Sequence, residues 1–90
     1  MGNIPIILRN FGEWAEDARF EYPNSYISAV LSEVAEPGVG INTHKLADTL
    51  AGVPEATLTE WGGERGLNFH REFITYLRRQ SPADLILFEW

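Results

Sequence analysis

Cysteine is absent from the 90 residues of this sequence. That excludes a disulfide framework, a thiolate metal site and a cysteine nucleophile. Long apolar runs are missing too: no stretch approaches the roughly 18–20 apolar residues that a membrane-spanning helix needs. The opening, MGNIPIILRNF, has no basic residue ahead of its apolar run, and Pro5 interrupts that run, so it does not read as a secretory signal. Gly2 is followed by Ile6 where an N-acylation motif needs Ser or Thr. A cytoplasmic protein with no membrane attachment is the expectation. There is no repeat, low-complexity tract or linker, so residues 1–90 read as one domain. The glycines at 38, 40, 62, 63 and 66 form neither GxGxxG nor a P-loop. Two histidines, 44 and 70, with no Cys make no zinc signature. No metal or cofactor is expected.

Basic charge is also scarce. Seven Lys and Arg stand against thirteen Asp and Glu, a net charge of −6. The deficit is uneven. Residues 1–42 carry −4, residues 43–80 balance to zero, and the last ten residues add −2. The first half would therefore repel phosphate and attract a basic surface. What the chain does have is apolar content: 44% hydrophobic, with three Trp, three Tyr and five Phe. That is enough for one modest core.

Helix-bounding residues punctuate the chain. Asn10 followed by Glu13 has capping-box spacing, and Phe11, Trp14, Ala15 and Ala18 fall on one helical face; the spacing predicts a helix over about 11–20, stopped before Pro23. Tyr26, Ile27, Val30, Leu31 and Val34 make the apolar stripe of a second helix, ended by Pro37-Gly38. Asn42 or Thr43 caps a third, with Leu46, Ala47 and Leu50 inward and Gly52 closing it. Pro54 opens a fourth, which Gly62-Gly63 stops near Trp61. Asn68 caps a fifth, with Phe69, Phe73, Tyr76 and Leu77 inward. Ser81, Pro82 and Asp84 give a strong helix-start pattern ahead of LILFEW. Trp14 and Trp61 sit at core spacing. The expectation is an all-α domain of five or six short helices. The alternative is α+β: IPIIL is strand-like, and its one plausible partner is LILFEW, which would pair residues 4–8 with 85–90.

One stretch carries a pattern. Leu46-Ala47, Gly52-Val53, Leu58 six residues after the glycine and Trp61 nine after it stand in the order of a helix, a turn and a second helix. With Gly62-Gly63, the helix read from Asn68 and the start at Ser81, residues 43–88 resemble the helix-turn-helix domain of phage-repressor type. The interval from Ala47 to Gly52 is one residue longer than in that family. The resemblance implies a hairpin in which Leu58 and Trp61 pack back on the first helix and Val53 plugs the angle. It also implies a DNA-reading face at Glu55, Ala56, Thr59 and Glu60, beside Pro54, with Lys45, Arg65 and Arg71 on phosphate and a homodimer allowed. That face holds two carboxylates and no Lys or Arg, where phosphate neutralisation supplies most nonspecific affinity and base reading leans on Arg, Lys, Asn and Gln.

Catalytic constellations are thin. His44 and Asp48 stand four apart, so their side chains meet on a helix, but no nucleophile or third group accompanies them. Glu13, Glu16, Asp17 and Glu21 cluster, and with Glu33 and Glu36 they form the candidate acidic face. An acidic face docks on a basic partner, and Trp90, the last residue, suits an interface hot spot if it is exposed next to carboxylates. The first expectation is a non-enzymatic protein-binding protein. In size, charge and lack of catalytic residues it resembles the small inhibitors, immunity and anti-defence proteins of phages and mobile elements, which act on nucleic-acid-handling machines. A helix-turn-helix regulator of transcription is the alternative.

Overall fold

A computed structural model of the chain describes residues 3–10 and 13–90. It is an α+β fold, not the all-α bundle of five or six helices that helical spacing suggests. Strand β1 (Asn3–Asn10) and strand β2 (Glu13–Pro23) come first. A helix α1 follows in three contiguous pieces, Asn24–Tyr26, Ile27–Leu31 and Ser32–Val34, the middle one a wide π turn. Next come a two-residue strand β3 (Ile41–Asn42), helix α2 (Thr43–Ala51), helix α3 (Glu55–Arg78) and strand β4 (Leu85–Leu87).

The sheet order is β2-β1-β4-β3, and every pairing is antiparallel. Ile7, Leu8 and Arg9 of β1 face Leu87, Ile86 and Leu85 of β4. This is the juncture of the two ends of the sequence: Ile7, Leu8 and Arg9 have a neighbouring strand on each side, which pairs their backbone groups. Ile86 and Phe88 turn inward and are fully buried, as is Ile6.

The helix expected over 11–20 is overturned, because residues 13–23 are β2. Phe11 and the Ala18 side chain lie outside the described parts. Trp14, at core spacing on that helix, is instead exposed. The competing signal stands in the sequence: Ala18, Phe20 and Tyr22 alternate with Arg19 and Glu21, the period-two pattern of a strand. The alternation is interrupted, because Pro5 pairs with Glu21 but Ile6 pairs with Asp17, so β2 bulges over the intervening residues. The bulge carries Phe20 onto α3, where its ring centroid lies 4.6 Å from that of Tyr76 and 5.5 Å from that of Phe73.

The helix expected after Ser81 is overturned as well. The same capping groups close a turn: Asp84 Oδ2 accepts from the Ser81 N–H, and the Asp84 N–H donates to the Ser81 carbonyl. The turn is tied down when Asn42 Nδ2 donates to the Pro82 carbonyl at 2.6 Å and the Thr43 N–H donates to the Asp84 carbonyl at 3.1 Å. Leu85–Leu87 of LILFEW then leave as a strand in the place between β1 and β3, and Phe88–Trp90 continue outside it.

The helical part of the core agrees more closely with the sequence. Tyr26, Ile27, Val30 and Leu31 of α1 are buried, with Leu46, Ala47 and Leu50 of α2 and Leu58, Phe73 and Leu77 of α3. Asn42 caps α2: its side-chain oxygen accepts from the His44 and Lys45 N–H groups, each at 3.1 Å. Pro54 is the residue before α3, and the helix begins at Glu55. The break anticipated at Gly62-Gly63 is a kink at Gly63 (φ 59°, ψ −144°), a conformation that only glycine adopts readily. The helix resumes at once, so Asn68 is an exposed mid-helix residue and not a cap. The two arms of α3 close tightly there: a Cβ on Gly66 would lie 2.9 Å from both the Leu58 carbonyl oxygen and Trp61 Cε3.

Candidate functional site

Sheet order decides which acidic residues share a surface. β2 is an edge strand, and Glu13, Glu16 and Glu21 on it are exposed. Asp17, half-buried on the same strand, faces the helices, where its Oδ2 accepts from Tyr76 Oη at 2.6 Å. Glu33 and Glu36 are exposed too, but they line a depression with Val39 and Ile41, beside β3 at the opposite edge. Four strands about 4.8 Å apart separate the edges by about 14 Å. The six carboxylates are therefore two groups, one on each flank of the sheet.

Between them lies the sheet face turned away from the helices. Arg9 is the cross-strand partner of both Trp14 and Leu85, so these three side chains share that outer face. The Arg9 guanidinium carbon stands 5.9 Å from the Trp14 ring centroid, within cation–π range. Across the sheet, a Cβ on Gly40 would lie 3.1 Å from Trp14 Cη2 and 3.5 Å from Leu85 Cδ1. The indole thus rests close over Gly40, and a side chain there would make it give by a few tenths of an ångström. It still leaves 43% of its surface in solvent. Glu16, two residues on, points to the same face. An aromatic plate braced from below, with the Glu16 carboxylate on the same face, is the most distinctive exposed feature among the described residues. Trp90, 39% exposed, packs only on Phe88 among the described rings, at 5.9 Å.

Residues 43–61 form a helix, a turn and the start of a second helix, and the ring and hydrogen-bond partners of Trp61 lie outside the first of these helices. Leu46, Ala47, Leu50 and Leu58 are buried, and Val53 and Trp61 are half-buried against the core. Trp61 packs at a tilt on Tyr26 and edge-on against Phe69, and donates from Nε1 to Ser25 Oγ at 3.0 Å. Outward stand Glu55, Ala56, Thr59 and Glu60, all exposed, with Lys45 and Arg65 exposed as well. Thr59 Oγ1 is spent on its own helix, donating to the Glu55 and Ala56 carbonyls. Glu55 Oε1 accepts from Arg71 Nη2 at 3.3 Å, which offsets the cation that phosphate would need. Arg78 pairs likewise with Asp48 at 3.3 Å. These exposed pairs add little to stability.

The histidines are not where helical spacing alone would put them. His44 does not meet Asp48; its Nε2 lies 2.8 Å from the Gln80 carbonyl oxygen, and Asp48 is taken by Arg78. His70 is buried in the core. Its Nε2 lies 2.8 Å from the Leu50 carbonyl oxygen, which can only accept, so Nε2 carries the proton. Nδ1 then accepts from Tyr26 Oη at 2.6 Å. Burial lowers the His70 pKa, and the bond to Leu50 opposes that shift in part. Burial likewise pushes the Tyr22 phenol up to about 12, with the Glu89 carboxylate adding to it. Sequence reading missed the buried His70; its signal is a spacing, one residue after Phe69 and three before Phe73, that puts it on the apolar side of the helix.

Among the described residues, no three His, Cys, Asp or Glu side chains gather into a metal-binding group. Among them too, no helix is long and apolar enough to cross a membrane. Comparison with protein-family models, curated protein sequences and solved structures found no match.

Proposed function

We propose that this is a non-enzymatic protein-binding domain that docks on a basic surface of a partner, in the manner of an inhibitor of a nucleic-acid-handling machine. The observation that carries the reading is Trp14: 43% exposed, beside Arg9 and over Gly40, with exposed Glu16 on the same face and exposed Glu13 next to it in the edge strand but turned to the other face. Interface hot spots favour Trp at a rigid, partly desolvated position. Rim carboxylates then choose a cationic partner and speed encounter. Glu21 extends the rim along β2, while Glu33 and Glu36 form a separate group at the far edge.

The second reading is DNA binding through α2 and α3. One observation favours it: Leu46, Ala47, Leu50 and Leu58 are buried on either side of the turn at Gly52-Val53. The outward face argues the other way, with Glu55 and Glu60 exposed and Arg71 already paired.

Affinity capture from the native host, followed by mass spectrometry, tests the two together. The expected result is a partner retained by the wild type and lost by both Trp14→Ala and the double variant Glu13→Lys/Glu16→Lys, with retention weakening as salt rises. A partner held equally by all three proteins rejects the surface. Steeply salt-dependent binding to duplex DNA, weakened by Lys45→Glu, would favour the second reading.

A further inference from the structure

The geometry points to strand addition on β2: its free edge takes an extended segment bearing Lys or Arg, which extends the sheet to β(partner)-β2-β1-β4-β3. This rests on the protein-binding reading and specifies how the partner is held.

The free edge is the first observation. β2 is eleven residues long and ends the sheet order, with β1 on one side only. None of the backbone hydrogen bonds outside the regular elements involves residues 13–23 among those described. An edge of this kind presents a row of unpaired N–H and C=O groups, a ready template for another strand. The register gives its usable length. From Asn10↔Glu13 to Ile6↔Asp17 the pairing with β1 is regular, and the bulge begins after it. Glu13–Asp17 is the regular run, five residues, close to the length of an ordinary strand.

Charge chooses the occupant. Protein edges are commonly guarded by Lys, Pro or inward-pointing charge. Residues 13–17 hold no Lys, Arg or Pro, and three of the five are carboxylates. A second copy of this chain is therefore a poor occupant. Two such strands side by side would bring the carboxylates of Glu13 and Glu16 together with no cation between them, and like charges directly opposite destabilise a pair. A strand with cations turns the same positions into favourable cross-strand pairs. The side chains of such a strand opposite Trp14 would pack on the indole, which its seat over Gly40 already holds in place.

Amide hydrogen exchange on the full chain tests this with three synthetic peptides: an alternating Lys-Val octamer, its Glu-Val counterpart, and the Lys-Val octamer N-methylated at every residue. The methylated peptide keeps the charge and loses every backbone donor. Strand addition predicts that the Lys-Val octamer slows exchange of alternate amides within 13–17 by about tenfold or more, while the other two leave them unchanged. Equal effects of the methylated peptide, or protection without the alternation, would overturn strand addition and leave a surface-charge contact. Pairing between copies, seen as a dimer with protected 13–17 amides in the absence of peptide, would overturn the choice of occupant. The underlying reading has its own test: if Trp14→Ala and Glu13→Lys/Glu16→Lys both keep the host partner, that reading fails whatever the peptides do.

Discussion

A single imidazole shows how the core polices its own protonation. His70 sits between a phenol that donates to it and a carbonyl that accepts from it, the pair of bonds that the neutral ring makes with Nε2 protonated. A proton on Nδ1 would make the Tyr26 hydroxyl turn and accept, and the phenol hydrogen would lose the ring as its acceptor. Its folded-state pKa is lowered from the ordinary value of about 6.5. Above that pH the ring is neutral whether the chain is folded or not, and its contribution is fully present. Below it the unfolded chain takes up a proton that the folded state resists, so stability falls with acidification. The slope is at most about 1.4 kcal/mol per pH unit, the limit for one proton. Chemical denaturation from pH 7.5 to 5 should show this dip in the wild type. His70→Gln, less stable at pH 7.5, should show a shallower fall over the same interval.

Elements differ in how openly their sequences declare them. The cap at Asn42 and the stripe of Leu46, Ala47 and Leu50 were legible because a helix of ordinary length has a local start, a local face and a local stop. β2 was not, because Phe11, Trp14, Ala15 and Ala18 satisfy helical spacing by coincidence while a bulge breaks the alternation that would mark a strand. The SPAD turn misled for a related reason: side chains that cap a helix also close a turn, and a distant β1 decides between them. For the candidate site, the identities of the acidic residues were readable but their grouping was not, since sheet order divides them between two edges. Adjacent glycines in α3 offer a clean contrast at this scale. Gly63 has φ 59° and Gly62 does not have a positive φ, yet neither has an atom within 4 Å of a built Cβ. Space is thus equal and only backbone strain differs. Gly63→Ala should destabilise by about 1–3 kcal/mol, while Gly62→Ala should be neutral or stabilise by up to about 1 kcal/mol through helix propensity. Thermal or urea unfolding of the two variants checks it.

For the whole molecule, β4 is the keystone. It lies between β1 and β3 and contributes Ile86 and Phe88 to the core. A chain ending at Asp84 should lose cooperative unfolding and dispersed amide resonances, because β1 would lose one neighbour and β3 its only one. Retention of a cooperative transition in that truncation would show that the helices hold the fold by themselves. Net charge acts at the same scale. At −6 the folded state carries self-repulsion that salt screens.

The order β2-β1-β4-β3 also sets a timetable. Synthesis delivers β1, β2 and three helices before residues 85–87 exist, so the growing chain can form the first hairpin and helical contacts but not the sheet. Until those residues clear the ribosome, Ile41 and Asn42 have no ladder to join, and one side of β1 stands open to whatever strand is nearby. The nascent chain is therefore at its most adhesive while residues 85–87 are still missing, and a chaperone that shields extended segments would have its work to do in that interval.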